Sequence, residues 1–320
     1  MKPSAIPQGK LRLTGAGRLA VSLALILLIA GCASISKVGE LSKEVVHKIH
    51  TPHSGLKPYI AFTRFEDTSF VRDKGMAALF QQRVADRYSQ KCRNTWIMTP
   101  ENPVFPNFLF NPPKLASGRI DDFALAKSGR QQGMYAIVTG SLFNISGDHR
   151  QKGFLWFKNT IPQVNISLAM AVYDTETGTK LMDRSEVRSF DVDDEDFDAI
   201  RQKNKAGLAV LAGLIRKTAE NFGDRLCETL SASQWKCYVS AVNGTDITLS
   251  AGSRSGLKPG RVFEVYAPGK LIKGVNGLRF LERGEKVADI KVTSVSQDTA
   301  TAVLTSGKSV SVGDTVVLPS

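Results

Sequence analysis

Apolar and polar positions change period several times along the chain, and each change predicts a different element. An uncharged apolar run from Leu19 to Ala30 follows a basic segment. From Pro58, the stretch PYIAFTRFED has the pattern of a strand, and DKGMAALFQQRVADRYSQKC places apolar residues near helical spacing. A second short strand, TWIM, comes next. A strand, a helix and a second strand in this order predict the start of an α/β layer.

The middle of the chain continues this alternation. RIDDFALAKSGRQQG predicts a helix, and YAIVTGSL predicts a buried strand. After a basic and aromatic connection over residues 150–163, alternating strands are predicted from Val164 to Tyr173 and from Lys180 to Phe190. Gly178 supplies the positive φ of the turn between them. An acidic cap, DVDDEDFD, then precedes a long helical stretch that reaches Cys227.

The last segment, from Trp235 to Pro319, consists of short β-rich runs separated by turn residues. CYVSAVNGTDITLSAG is typical of a hairpin in which Asn243-Gly244 forms the turn. Five or six short strands at this spacing predict a small antiparallel barrel. The predicted fold class is therefore α+β, with an α/β sandwich domain over residues 58–230 followed by a β-barrel domain over residues 235–319.

The amino terminus combines a basic segment, an apolar run and a cysteine. The first 18 residues hold four basic residues and no acidic one, and the apolar run after them is short for a membrane span. Ile29-Ala30-Gly31-Cys32 resembles the lipobox of bacterial lipoproteins. The resemblance implies a signal peptide over residues 1–31, diacylglycerol and N-acyl lipid on Cys32, and a lipidated tether over residues 32–57. A different cleavage site or a buried core cysteine is the alternative.

The lipid and the net charge bear on location. More than one acyl chain gives a stable anchor, and Ala33 stands where an aspartate would resemble an inner-membrane retention signal. We therefore expect the protein on the periplasmic face of the outer membrane. Without the leader, 38 basic residues face 30 acidic ones, and the formal charge of +8 suits anionic lipid headgroups or cell-wall polymer. The basic residues are scattered, so no nucleic-acid partner is expected.

Three further cysteines, Cys92, Cys227 and Cys237, would lie in an oxidising compartment, where one disulfide and one spare thiol is the simplest outcome. Cys227 and Cys237 flank the predicted domain junction, and we predict a bridge between them. A bridge from Cys92 to either of them is the competing pairing.

A proline-rich stretch, TPENPVFPNFLFNPPKLASG, interrupts regular structure over residues 99–118. Phe105, Phe108 and Phe110 give it apolar surface. It is either a long loop packed on the domain or a loop that binds a partner or a second copy.

No spacing of residues predicts a metal site, a cofactor or a catalytic centre. His47, His50 and His53 lie in the tether without nearby acids or cysteines to complete a metal shell. The acidic run differs from a calcium loop, because Asp196 replaces the turn glycine and Gln202 replaces the bidentate glutamate. Nucleophile elbows and phosphate-binding glycine loops are missing from the sequence, so we expect no enzymatic activity.

The first domain resembles a known scaffold. YIAFTRFED, ALAKSGRQQGMYAIVTGSL and AVYDTETGTKLMD are similar to motifs of the α/β fold shared by the amino-terminal domain of the Tol translocation protein B (TolB-N) and the curli secretion channel lipoprotein CsgG. These are scaffold motifs, so the resemblance implies a fold and not a reaction.

The second domain resembles the last domain of the flagellar assembly protein T. The resemblance rests on ITLSAGSRSGLKPGRVFEVY, VADIKVTSVSQDTATAVL and VSVGDTVVL, with Gly256, Gly260, Gly313 and Asp314 at the turns. This chain differs from that protein in carrying a lipobox.

Two non-enzymatic hypotheses follow. The first is a structural or assembly lipoprotein of an envelope complex, such as a flagellar ring, with periplasmic protein partners or self-association into a ring. The second is a pore-forming secretion channel subunit like CsgG. A spanning strand needs about 9 to 11 alternating residues, and residues 147–163 break this pattern at Lys158, Asn159 and Pro162. The assembly hypothesis is therefore favoured.

Overall fold

A computed structural model describes residues 55–69, 71, 74–93, 95–154 and 156–319. These residues form a mixed α+β fold with five helices and two sheets, one of them a closed antiparallel ring of six strands. The predicted α+β class with a small antiparallel barrel is confirmed. Cys32 and the three tether histidines lie outside the described residues.

The first sheet combines parallel and antiparallel pairing. Its strands are β1 (Tyr59–Phe62), β2 (Glu66–Asp67), β3 (Trp96–Met98), β4 (Ala136–Phe154), β5 (Phe157–Asp174) and β6 (Lys180–Asp191). The order is β3-β1-β4-β5-β6, with β2 beside β4. β1 is parallel to β3 and β4, whereas β4, β5 and β6 are antiparallel neighbours.

Helices cover both faces of this sheet. They are α1 (Lys74–Lys91), α2 (Asn107–Phe110), α3 (Asp122–Gln131), α4 (Asp194–Arg201) and α5 (Lys205–Ser231). On one face α1 and α5 lie side by side, and the rings of Phe80 and Phe222 meet edge to face. Gly223 permits this approach, since a Cβ there would lie 2.6 Å from the Cβ of Arg87. On the other face, α3 buries Leu125.

The long helix predicted after the acidic run is two helices. Asp193 caps α4 by accepting a hydrogen bond from the Asp196 N–H, and α4 ends at Arg201. Asn204 then caps α5 by accepting one from the Gly207 N–H. Asp and Asn are strong N-cap residues, so a second cap within the predicted stretch divides it.

The predicted connection over residues 150–163 is wrong, because β4 and β5 continue through it as one hairpin. Pairing runs without a break from Gly147 opposite Val164 to Phe154 opposite Phe157. Proline within a strand is tolerated where no ladder bond needs its N–H. Pro162 meets this condition. Its carbonyl accepts a hydrogen bond from the Val192 N–H, one residue beyond the end of β6, and its nitrogen lies on the same edge of the strand and so faces past the end of β6.

The second sheet is the barrel. Its strands are β7 (Lys236–Asn243), β8 (Asp246–Leu249), β9 (Val262–Lys273), β10 (Arg279–Val295), β11 (Ala300–Gly307) and β12 (Thr315–Val317). They close in the order β10-β11-β8-β7-β12-β9 around a core that includes Phe263, Leu249 and Val316. Among the described helices, none has the length and apolar character needed to cross a membrane.

Candidate functional site

Buried charges join the sheet to the barrel. Lys236, the first residue of β7, is only 9% exposed. Its ammonium group contacts the carboxylate of Asp174 and lies 2.9 Å from that of Glu176. Asp174 ends β5, Glu176 lies in the turn to β6, and both acids are buried. The opposite charges stabilise one another, because an unpaired charge in a protein interior costs free energy.

We call Asp174, Thr175, Glu176, Lys236 and Tyr238 the junction cluster. Hydroxyl groups and a further cation support its charges. The hydroxyls of Thr175 and Tyr238 lie 2.7 Å apart. Arg283 of β10 donates to Glu176 over 3.2 Å. Burial raises the pKa of Asp174, but the charge and hydrogen bond of Lys236 outweigh it and hold the pKa below its ordinary value. Asp174 is therefore held in its ionised form.

Backbone contacts fix the barrel at the amino-terminal ends of β1 and β4. Leu56, just before β1, packs into the barrel core. The Lys57 N–H donates to the carbonyl of Ser255 over 2.9 Å. The Tyr238 hydroxyl of β7 contacts the Thr175 hydroxyl, which donates to the carbonyl of Tyr135, immediately before β4. In the sequence, residues 174–178 have the signature of a turn alone, and no local pattern distinguishes Lys236.

The opposite end of the sheet carries a protruding hairpin. After Leu142, β4 pairs with β5 alone, and before Gln163, β5 pairs with β4 alone among the described strands. We call residues 148–161 the β-ribbon. Phe197 of α4 covers its base and meets the His149 ring edge to face, with 4.8 Å between ring centroids. Further out, the described side chains are exposed as far as Thr160.

The β-ribbon combines an aromatic tip with basic sides. Trp156, in the turn, is 84% exposed. The β-ribbon holds three basic residues, Arg150, Lys152 and Lys158, and one acid, Asp148, at its base. Arg150 lies 2.9 Å from Asp191 at the end of β6, whereas Lys158 forms no ion pair with a described residue. An exposed ribbon with open edges adds little to stability, so its chemistry points to a contact surface.

The predicted bridge between Cys227 and Cys237 is wrong. Cys92, just after α1, is bonded to Cys227 of α5, with the two Cα atoms 5.8 Å apart. Cys237 is a free thiol buried in the barrel core, and burial raises its pKa. Cys227 faces α1 and not the barrel, which excludes the shorter pairing. Opposite charges one turn away mark the same helix contact, because Arg87 pairs with Asp224.

Replacing both Cys92 and Cys227 by serine should lower the free energy of unfolding by about 2–5 kcal/mol, because the bridge closes a long loop. Urea denaturation of the oxidised protein measures the loss. Cys237→Ala is the matched control and should leave the bridge intact. The intact protein should show a reactive Cys237 thiol only after unfolding. Peptide mapping that joined Cys227 to Cys237 would contradict this pairing.

The proline-rich loop is packed on the sheet. Phe105 and Phe108 pack against a core cluster that contains Leu109 and Leu125. Phe110 remains 42% exposed, and the Arg64 guanidinium lies 4.4 Å from its ring centroid. Of the three phenylalanines proposed for partner binding, Phe110 offers the exposed ring, and the binding role stays a prediction.

A cavity of about 600 Å³ opens beside the carboxyl ends of β1 and β3, the position at which open α/β sheets bind ligands. Arg64, Glu66, Asp67, Glu101 and Lys114 contribute its charges. Several are already engaged by other protein groups. Lys114 lies 2.8 Å from Glu66, and Asp67 accepts hydrogen bonds from Ser69.

The described residues contain no group of three or more histidine, cysteine or acidic side chains placed to hold a metal ion. His149 contacts Phe197 edge to face, and Asp193 of the acidic run caps a helix. These positions give both residues structural roles.

Comparison with known proteins adds similarity in fold alone. No protein-family model matches the chain, and a search of curated proteins finds no match. Among solved structures, the hypothetical protein CT253 from Chlamydia trachomatis is 12% identical with a TM-score of 0.35, over 55% of this chain and 99% of that one. Lipoprotein GNA1162 from Neisseria meningitidis is 11% identical with a TM-score of 0.28, over 51% and 99%.

The PelC dodecamer from Paraburkholderia phytofirmans is 11% identical with a TM-score of 0.29, over 57% of this chain and 93% of that one. At these scores the similarities carry no conclusion about the function of this chain. None of these three structures is a Tol, CsgG or flagellar protein.

Proposed function

We propose that this protein is a non-enzymatic lipoprotein, anchored by acylated Cys32 to the periplasmic face of the outer membrane, where it serves as a structural component of an envelope complex. The leader and the lipobox support the anchor. Its partners would be periplasmic proteins or further copies of the chain in a ring. A place in a flagellar ring rests on the resemblance of the barrel sequence alone.

The observation that carries this proposal is the β-ribbon at one end of a body whose other end receives the tether. β4 runs from Ala136, beside β1, to Phe154 near the ribbon tip. At about 3.3 Å per residue this distance is roughly 60 Å. The junction cluster fixes the barrel to the sheet, so the body can transmit a contact between its ends.

The alternative function, a CsgG-like secretion channel subunit, requires strands with about 9 to 11 residues of alternating polarity. The β-ribbon supplies a continuous hairpin, which favours this alternative in shape. Its apolar residues are concentrated between 154 and 157, and the flanking stretch holds Arg150, Lys152 and Lys158. This composition favours the structural role.

Native mass spectrometry and negative-stain imaging of the detergent-extracted protein test this choice. We expect a monomer, or a ring without a membrane-embedded belt, and neighbouring proteins extracted with it would identify the complex. A closed ring with an embedded belt would contradict the structural role and establish the channel.

A further inference from the structure

We propose that the β-ribbon tip is a second membrane contact, which inserts Trp156 into the interface of a bilayer containing anionic phospholipid. This inference rests on the proposed lipid anchor and names the partner of the ribbon. Anionic headgroups would attract the basic side chains of the β-ribbon, and Trp156 at its tip would insert into the lipid interface.

The three tryptophans of the chain have different environments. Trp235 is 6% exposed in the barrel core. Trp96 stacks on Tyr59 with 3.9 Å between ring centroids, and the Arg254 guanidinium lies 4.7 Å from the Trp96 ring centroid. Of these three described tryptophans, Trp156 is the one that is largely exposed, at 84%. Tryptophan favours the membrane interface because its ring is apolar and its N–H is polar.

Positive charge lies directly behind this tip. Lys158 pairs across the ribbon with Gly153, and Lys152 pairs with Asn159. Both lysines are therefore within about three residues of the turn, or roughly 10 Å along the strands. Asp191 neutralises part of this charge, because it pairs with Arg150 and lies 3.9 Å from the Lys152 ammonium group. Lys158 therefore carries the charge behind the tip that no described residue pairs. Cations behind an aromatic tip match the order of headgroups and acyl chains at a bilayer surface.

The pattern also limits the depth of insertion. The apolar stretch is the four-residue sequence FLWF at positions 154–157, and polar residues follow on both strands. A strand that spans the hydrocarbon layer needs about 9 to 11 residues. The ribbon therefore suits the interface and not a full crossing.

The chain outside the described region is long enough for both contacts. Twenty-two residues, from Ala33 to Ser54, separate Cys32 from the described body. Fully extended, they reach about 75 Å, compared with roughly 60 Å along β4 to the ribbon tip. Acylated Cys32 and Trp156 can thus occupy the same membrane surface.

Tryptophan fluorescence of the mature lipidated protein tests the inference. The protein is placed in phosphatidylcholine vesicles with or without phosphatidylglycerol, and brominated phosphatidylcholine serves as the quencher. With phosphatidylglycerol, we expect a blue shift and quenching that disappear in Trp156→Phe. Lys158→Gln should shift the balance from inserted to free tip about fivefold, since each cation near an anionic surface contributes on this scale. High salt should weaken the response.

Val275→Ser provides the matched control. Val275 is 77% exposed in the hairpin between β9 and β10, between Lys273 and Arg279, and is remote from the ribbon. Its replacement should leave the blue shift and quenching of Trp156 unchanged. If Val275→Ser weakened them as much as Lys158→Gln does, adsorption would be non-specific and the proposal would be overturned. A blue shift that grew with protein concentration and not with lipid would also overturn it, because a second copy would then cover the tip.

Retention on vesicles of phosphatidylcholine alone reports the Cys32 anchor separately. A protein that stays bound there while Trp156 remains unquenched on anionic vesicles would overturn the ribbon contact and leave the proposed anchor intact. A protein released from neutral vesicles that still shows Trp156 quenching on anionic ones would overturn the anchor and support the ribbon contact.

Discussion

Replacing Lys236 with methionine should lower the free energy of unfolding by about 3–5 kcal/mol, the cost of breaking a buried ion pair by removing one partner. The substitution leaves the carboxylates of Asp174 and Glu176 buried without their shared ammonium group. Urea denaturation at neutral pH measures the loss. Methionine matches the four-atom apolar stem of lysine and lacks the ammonium group, so the change removes the charge with little loss of packing.

Two controls separate the charge from packing. The triple variant Lys236→Met, Asp174→Asn and Glu176→Gln removes all three charges and should recover much of the lost stability. Lys286→Met removes a lysine whose ion pairs with Glu264 and Asp289 lie at the surface, and it should cost much less. A Lys236 variant as stable as the wild type would show that the junction cluster contributes nothing to stability.

The same pair predicts a dependence on pH. The pKa of Asp174 is lowered in the folded protein, so the unfolded chain binds its proton more readily. The resulting stabilisation is complete above the ordinary aspartate pKa of about 3.9 and is lost as the pH falls through the lower folded value. The difference in stability between wild type and Lys236→Met should therefore shrink below about pH 4. A difference that stayed constant into acid would contradict this assignment.

Local patterns were sufficient for the layers of the fold. Met76, Phe80 and Val84 recur at helical spacing, and all three are buried in α1. Asn243-Gly244 forms the turn between β7 and β8, where Gly244 has a φ of 60°. Such signals depend on neighbours in the sequence, so they can be recognised in a single chain.

The junction cluster and the disulfide depend on residues that only the fold brings together. Lys236 is 62 residues from Asp174, and Cys92 is 135 residues from Cys227. A lysine at the start of a strand has no distinguishing local pattern. The complementary charges of Arg87 and Asp224 were the available signal for the disulfide, but they become informative only once α1 and α5 are placed side by side.

The β-ribbon could not be predicted because its residues contradict the usual strand pattern. Lys152 and Lys158 in the β-ribbon, and Pro162 just after it, interrupt any alternation of apolar and polar residues. Alternation arises when one face of a strand is buried, and the outer β-ribbon packs against nothing in the described part of the chain. Its extended form follows from continued pairing with the buried halves of β4 and β5.

The most direct test of the proposed anchored protein is fractionation of cells that express wild type or Cys32→Ala behind a cleavable secretory leader. Wild type should remain with the outer membrane after a high-salt wash, which removes electrostatic contacts such as that proposed for the ribbon. Cys32→Ala should appear in the soluble periplasmic fraction, and Cys237→Ala should behave like wild type. Salt-resistant recovery of Cys32→Ala with the outer membrane would contradict the lipid anchor.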